Sequence, residues 1–441
     1  MMTERAAGRL KSLGLILLAV FFAQALYSGR LVVTLGPGRG WLAVLTTGLL
    51  ILIASSYSAA PLEAPDDDRH PSRGRAWALL LLAVPLVLGL LSPVHVHDDA
   101  VPGSGWLGAA LGEAVEAAEG VLYLAPASGE PPALWLMPLE GGSPRQVFAP
   151  PGGVLDYDIA PGGSYLAASV LDDAGSSDIW LVGTQGANPR RLTTCAPSSC
   201  SGVAYSPRGD VLAYERREPG AAPEAPARMW LYDLASGESA PLFEDERIQG
   251  YDPRFSPDGS QVALYDTASQ SIRVTALDTG ESSLIGSQLG EVGAFSPDGE
   301  SLVFPDIRAV GRQYFPELWL VRVDAPRRNT ALRGEAQEDF APAWSPDGGT
   351  IAFASRRIDR TEGFASQLML YDVESGTVEQ LTDDTRYNQT AFVWHASGER
   401  LLVQRFELSG ANAGPALWVY ELATGEMRLL VEDAFAGQWT P

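Results

Sequence analysis

The sequence is poor in the side chains that most often carry chemistry. It has two cysteines, four histidines and a single lysine, Lys11, among 441 residues. Two cysteines without further ligands nearby make a poor zinc site. Cys195 and Cys200, in "LTTCAPSSCSG", instead read as a disulfide formed in an oxidising compartment. Arginine supplies nearly all the basic charge, which reflects genomic composition more than function. There is no Gly-x-Ser-x-Gly elbow and no hydrolase domain after the repeats described below, which argues against a serine peptidase of the α/β-hydrolase type. Of the histidines, His70 lies in an N-terminal loop, and His395 stands where a repeat otherwise has serine. His95 and His97, in "HVHDD", would share one face of a strand and could meet zinc or copper with the two aspartates. The plainer reading is a polar linker, so neither a metal nor a cofactor is expected.

Charge is unevenly spread. The first 98 residues carry 8 basic and 6 acidic side chains, and the rest carry 23 and 48, a net charge of −25. A body that acidic is a poor partner for nucleic acid or for an anionic lipid surface.

Long apolar runs are confined to the N-terminal part. They are "LGLILLAVFFAQALYSG" from Leu13, "WLAVLTTGLLILIASSYSA" from Trp41 and "AWALLLLAVPLVLGLLSPV" from Ala76. Each is near the ~20 residues a helix needs to span the bilayer core, and Trp41, Tyr57 and Trp77 sit at run ends. Residues 1–93 are therefore expected to form a membrane domain of three transmembrane helices. Arg5, Arg9 and Lys11 precede the first run, and Arg69, Arg73 and Arg75 separate the second from the third. Only Arg30 and Arg39 lie between the first two. The positive-inside rule then places the N-terminus in the cytoplasm and everything after the third span outside it. Cleavage near Ala23 and Ala25 is a competing reading of the first run, and it leaves the large domain outside all the same. Residues 94–118 read as a juxtamembrane linker.

From residue 119 one phrase returns: "DYDIAPGGSYLAAS", "GVAYSPRGDVLAYE", "DPRFSPDGSQVALYD", "VGAFSPDGESLVFPD", "APAWSPDGGTIAFAS" and the degenerate "TAFVWHASGERLLVQ". The period of about 40–50 residues marks a propeller or a related array. Each unit reads as four strands. Pro-Asp-Gly makes a tight first turn, where Pro fixes φ, Asp bonds local backbone and Gly takes positive φ. "ESGT" or "ATGE" makes another between the third and fourth strands. Six units are complete. The stretch from Glu119 has strands two to four of a seventh, and the last residues, "AFAGQWTP", supply its first. The expected fold is all-β: a seven-bladed propeller over 119–441, closed through a split blade by the C-terminal strand, which removes open edges.

The units "FSPDG", "WSPDG" and "IAFAS…LMLYDVESG…QLT" resemble the TolB-like, or WD-like, propeller repeat over about three quarters of the chain. The resemblance implies a fold strongly and a function weakly. Such propellers occur in periplasmic scaffolds, in receptor-like sensors and as gating domains of prolyl oligopeptidase-like peptidases.

Tight turns at one end of the ring are short and alike, whereas the two-to-three and four-to-one connections at the other are long and dissimilar. Binding usually resides in such variable connections. Arg216, Arg217, Arg308, Arg312, Arg356, Arg357, Arg360 and Arg405 fall there, with Tyr314, Asp339, Asp383, Asp384 and Tyr387. This mixed-charge face is the candidate binding surface for a protein, peptide or glycan, and should point away from the membrane. A salt-bridged face without a ligand is the competing reading. The function expected is a binding or scaffold module at the cell envelope. Forty-eight acidic residues also leave room for a carboxylate pair in the central channel, so a hydrolase or lyase acting there on peptide or sugar is the alternative.

Overall fold

The computed structural model describes residues 119–139, 141–222, 225–333, 337–358, 363–408 and 414–441. The three apolar runs, His95, His97 and Arg360 lie outside them. Among the described residues no helix is long and apolar enough to cross a membrane. They form seven four-stranded antiparallel sheets, the blades of a propeller.

Blade 1 is the split one. Its inner strand is Phe435–Trp439, hydrogen-bonded to Gly120–Ala125, followed outward by Ala133–Pro138 and Arg145–Phe148. The seam pairs Val121 with Trp439 and Leu122 with Gln438. Thr440 tightens it: its N–H donates to Gly120 O at 2.9 Å, and its hydroxyl accepts from Gly120 N at 2.8 Å. Blades 2 to 7 follow in sequence order, with inner strands Val154–Ile159, Ser199–Tyr205, Gly250–Phe255, Ala294–Phe295, Gln337–Trp344 and Tyr387–Trp394. The expected ring, blade count and closure are all present.

Each of the seven gaps between blades holds its own apolar cluster. A blade is therefore buried on both faces, which is why second strands read as unbroken apolar runs such as "TIAFAS". In Gly120–Ala125, Leu122 and Leu124 pack toward blade 2, while Val121 and Tyr123 pack toward blade 7. The gap between blades 3 and 4 is the leanest, with Ala227, Met229 and Leu264 as its buried residues. There a pair of backbone hydrogen bonds joins Ala227 and Gly250, each at 2.9 Å.

The repeated letters have specific jobs. In the Ser-Pro-Asp-Gly turn of blade 4, the Ser256 hydroxyl donates to Asp258 at 2.6 Å and accepts from Gln261 N at 3.0 Å. Gly259 takes φ 67°, a value L-residues rarely adopt. Hydrogen bonds from the Ser256 and Ser260 hydroxyls and from Ser260 N hold the Asp258 carboxyl down at about 2. The turn proline of one blade packs beside the turn glycine of the next, Pro257 by Gly299 and Pro297 by Gly348, and Pro441 takes the same place beside Gly163. The aromatic before Ser-Pro, where it is tryptophan, ties blade to blade. Trp344 Nε1 donates to Ala294 O at 3.2 Å, Trp394 to Ala343 O at 3.0 Å and Trp439 to Val393 O at 2.9 Å. His395 keeps its degenerate turn closed through Nδ1 and Ser397 at 2.8 Å, and its Nε2 reaches Glu119 at 2.9 Å.

The disulfide Cys195–Cys200 is formed. Both cysteines are buried in the gap between blades 2 and 3, beside Ile179 and Leu212, so the bridge is part of a core and not only of a loop.

Two measurements check this account. Trp439→Phe keeps the ring and loses the hydrogen bond to Val393, and urea unfolding should show a loss of about 1 kcal/mol. Replacing both Cys195 and Cys200 by alanine opens a short covalent loop and should cost about 2 kcal/mol in the same assay.

Candidate functional site

Two regions gather polar side chains. One is the channel wall, built by the inner strands together with Glu215 and Arg217 of the second strand Val211–Arg217. Asp156, Asp158, Tyr205, Glu215, Arg217, Tyr251, Asp252 and Arg254 line a cavity of about 780 Å³, together with Gln438 of the closing strand. Their hydrogen bonds run mostly to the backbone of the next blade. Asp156 accepts from Gly202 N at 2.9 Å and Val203 N at 3.0 Å, and Asp158 from Tyr205 N at 2.7 Å. Glu215 accepts from Asp252 N, and Gln404 from Ala436 N, each at 2.9 Å.

The N–H groups of Gly202, Asp252 and Ala436 are available because each residue sits in a bulge of its inner strand, at φ 62°, 59° and 52°. A bulge turns the peptide out of its own ladder. At Gly202 a Cβ would stand 2.6 Å from the Glu215 side chain, so glycine is required. Asp252 and Ala436 hold the same conformation at a strain on the order of 1 kcal/mol each.

Burial pushes the Asp158 carboxyl up to about 6, against the hydrogen bonds from Tyr205 N and Ile159 N. Burial also raises Glu215, with Arg217 pulling it back, and raises Glu291. The channel thus holds in Asp158 a carboxyl protonated at mildly acidic pH. Among the described residues no group of three or more His, Cys, Asp or Glu side chains is arranged to hold a metal ion.

The second region is the variable end. The structure places its arginines differently from the loop positions expected. Arg216, Arg217, Arg308, Arg356, Arg357 and Arg405 all lie on second strands, which run on past the apolar core. In blade 5 the two-to-three connection "DIRAVGRQYFPE" is a hairpin, with Ser301–Val310 paired to Gln313–Arg322 down to Val310 opposite Gln313. Cross-strand and neighbouring carboxylates explain the extension. Arg308 Nη1 bonds both oxygens of buried Glu317 at 2.7 and 2.9 Å. Arg217 pairs with Glu215 and donates to Ser201 Oγ at 2.6 Å. Arg356 pairs with Glu338, and its guanidinium lies 5.7 Å from the Phe340 ring. Arg216 lies 5.0 Å over Trp230. Asp339 is buried, held by Arg333 through Nε at 3.1 Å and Nη2 at 2.9 Å.

Arg312, Tyr314 and Asp383 are exposed, Tyr314 to 74%. Asp384 is held below the usual carboxylate range by the Arg386 guanidinium. Tyr387 and Trp418 flank Arg405. Sequence reading missed Glu215, Glu317, Glu338 and Arg333 as partners. A signal was there for Glu215 and Arg217, because residues two apart on a strand share a face.

Around Arg405 a second cavity of about 770 Å³ opens, lined also by Tyr387, Glu407, Trp418, Glu432 and Asp433. Burial lowers the Arg405 pKa, which marks a cation short of solvation.

Residues 235–438 match the TolB beta propeller domain. The chain is 31% identical over 111 residues to an uncharacterized peptidase, YuxL, of Bacillus subtilis, covering 25% of this chain and 16% of that protein. It is 23% identical over 143 residues to dipeptidyl-peptidase 5 of Porphyromonas gingivalis, covering 32% of this chain and 20% of that one. The chain therefore spans about a fifth or less of either relative's length. Among solved structures, an oligogalacturonate lyase from Vibrio parahaemolyticus superimposes with a TM-score of 0.50 at 14% identity, over 72% of this chain and 87% of that one. At that identity the likeness is one of fold.

The buried Asp158 gives a pH test. A carboxyl whose folded pKa of about 6 exceeds its unfolded value of about 3.9 binds its proton more tightly when folded. Its contribution is full below about pH 4 and lost as pH rises through about 6. Wild-type stability should fall across that window by at most about 3 kcal/mol relative to Asp158→Asn. Urea unfolding at intervals from pH 3.5 to 7 reads the difference.

Proposed function

We propose that the protein is a membrane-anchored, extracytoplasmic propeller that serves as a binding or scaffold module at the cell envelope. It engages a protein, peptide or glycan through its variable end. The observation that carries the reading is the contrast between the two ends of the ring. At the tight-turn end, serine, aspartate and backbone satisfy one another in the repeated Ser-Pro-Asp-Gly turns. At the other end Tyr314 and Phe364 are 74% and 56% exposed, and a cavity opens beside Arg405. Exposed aromatics on a rigid frame are the usual anchors of protein recognition. The three apolar runs and the arginine bias between them support the anchor and its orientation.

A hydrolase or lyase acting on peptide or sugar in the channel is the second reading. Asp156 and Asp158, close together with Asp158 raised toward neutrality, favour it. So do the similar proteins, which include a lyase and peptidases. Against it stand the backbone hydrogen bonds that already occupy both carboxylates.

Proximity crosslinking from native membranes separates these readings. Tyr314→Ala combined with Phe364→Ala should reduce recovery of at least one specific partner about tenfold while leaving the melting temperature within a few degrees. Identical partners in wild type and variant, together with turnover of a peptide or oligosaccharide that Asp158→Asn abolishes, would replace the binding reading with the enzymatic one.

A further inference from the structure

Arg405 is the arginine of the variable end whose environment is incomplete. It is 4% exposed, deeper than Arg308 or Arg356. Its guanidinium carbon lies 3.6 Å from the Tyr387 ring centroid and 4.9 Å from that of Trp418, and these two rings meet edge to face at 5.7 Å. Stacking of this kind holds the plane of the guanidinium and leaves its edges for hydrogen bonds. Yet among the described residues neither Nε nor Nη2 has a hydrogen-bond partner. The nearest carboxylate oxygen, Asp384 Oδ2, is 3.8 Å from Nη2. That carboxylate is already gripped by Arg386, at 3.0 Å through Nε and 2.7 Å through Nη2.

Nε and Nη2 form the side-on fork of an arginine, matched in spacing to the two oxygens of a carboxylate. The same ring shows what that fork takes. Arg333 places Nε and Nη2 on Asp339 at 3.1 and 2.9 Å. Arg273 places both on a single oxygen of Asp266, at 3.0 and 2.7 Å. Directly across the sheet from Arg405 stands Gln389, fully buried, with both its side-chain oxygen and nitrogen also unbonded. A buried fork and a buried amide left open side by side are costly to leave unbonded, so the place suits an entering polar group. Because the Gln389 amide gives up no hydrogen bond on turning, it can yield to an entering group.

The rest of the cavity limits what that group belongs to. Glu407, Glu432 and Asp433 lie on its wall, with Pro415 and Leu429 supplying apolar surface. A purely anionic molecule would meet these carboxylates and a body of strongly negative net charge. A zwitterion would not, since its ammonium faces them while its carboxylate takes the fork. The volume of about 770 Å³ falls within the range of pockets that hold a small organic molecule of this size.

We propose that the cleft at Arg405 binds a short peptide by its free C-terminal carboxylate, which accepts hydrogen bonds from the Nε–Nη2 fork, with Tyr387 and Trp418 as its walls. The peptide's ammonium end lies toward Glu407 and Glu432. This specifies the ligand class for the binding reading above and rests on it.

The test uses the full-length chain purified in detergent and two probes, the tripeptide Gly-Gly-Phe as free acid and as C-terminal amide. Titration calorimetry and the change in tryptophan fluorescence expected from Trp418 report binding. The free acid should bind at least tenfold more tightly than the amide, and Arg405→Lys should abolish that preference while keeping the wild-type far-ultraviolet circular dichroism. Equal affinity for acid and amide overturns the proposal, as does no binding of the acid at 10 mM, roughly tenfold above the millimolar edge of weak recognition. If Arg405→Lys does not fold, the acid-to-amide comparison on the wild type decides alone. Partner recovery by crosslinking from native membranes separates the two levels. Partners retained with no tripeptide binding overturn the peptide cleft only, and loss of both overturns the binding reading with it.

Discussion

A single blade of this protein could not exist in water. Its second strand is apolar on both faces, so each blade needs a neighbour on either side. Seven gaps and seven apolar clusters satisfy that need only when the ring is complete. The pairing of Phe435–Trp439 with Gly120–Ala125 is therefore the contact on which the rest depends. Without it blades 1 and 7 would each present an apolar face to solvent and blade 1 would present an unpaired edge. The closing residues do more than add a strand. Trp439 adds the last of three indole hydrogen bonds running from blade to blade, and Pro441 takes the place that a turn proline fills elsewhere in the ring.

The polar groups of the channel follow from the same demand. Apolar clusters fill the middle of each gap, but the inner strands converge toward the axis, where backbone N–H groups turned out by bulges must find acceptors. Asp156, Glu215 and Gln404 supply them from the preceding blade. Two carboxylates on one channel wall, with Asp158 raised toward neutrality, are what a catalytic pair looks like, and here the same features arise from holding blades together. Such side chains can serve one purpose without the other.

The fold was legible in the sequence because the repeat is written in residues whose conformation is local. Pro-Asp-Gly turns, strand-length apolar runs and the fragment "AFAGQWTP" specify blade count and closure before any contact is known. The disulfide was legible from spacing and its burial was not, since burial depends on Ile179 and Leu212 of adjacent blades. The variable end was legible in location and not in chemistry. A run such as "DIRAVGRQYFPE" contains Gly and Pro and reads as a loop, yet Arg308 and Glu317 share a face across two strands and carry the hairpin further out. Partner choice among many arginines and carboxylates is set by cross-strand register, which no single stretch reveals. The bulge at Ala436 was hidden for a related reason: alanine does not advertise a positive φ.

The seam has a kinetic side. Val121 and Trp439 are joined across more than three hundred residues, and closing a loop of that length costs roughly 4 kcal/mol more in chain entropy than closing a hairpin. The seam is thus the natural last step in assembling the ring and the first place for it to breathe. One wall of the Arg405 cavity is made of the same stretch, for Ala127 N donates to Asp433 O and to its carboxylate, each at 3.1 Å, and both residues line the cavity. A molecule lodged there touches both sides of the join. A ligand bound there would stabilise the closed ring by mass action, so that its concentration would set the fraction of rings that are shut.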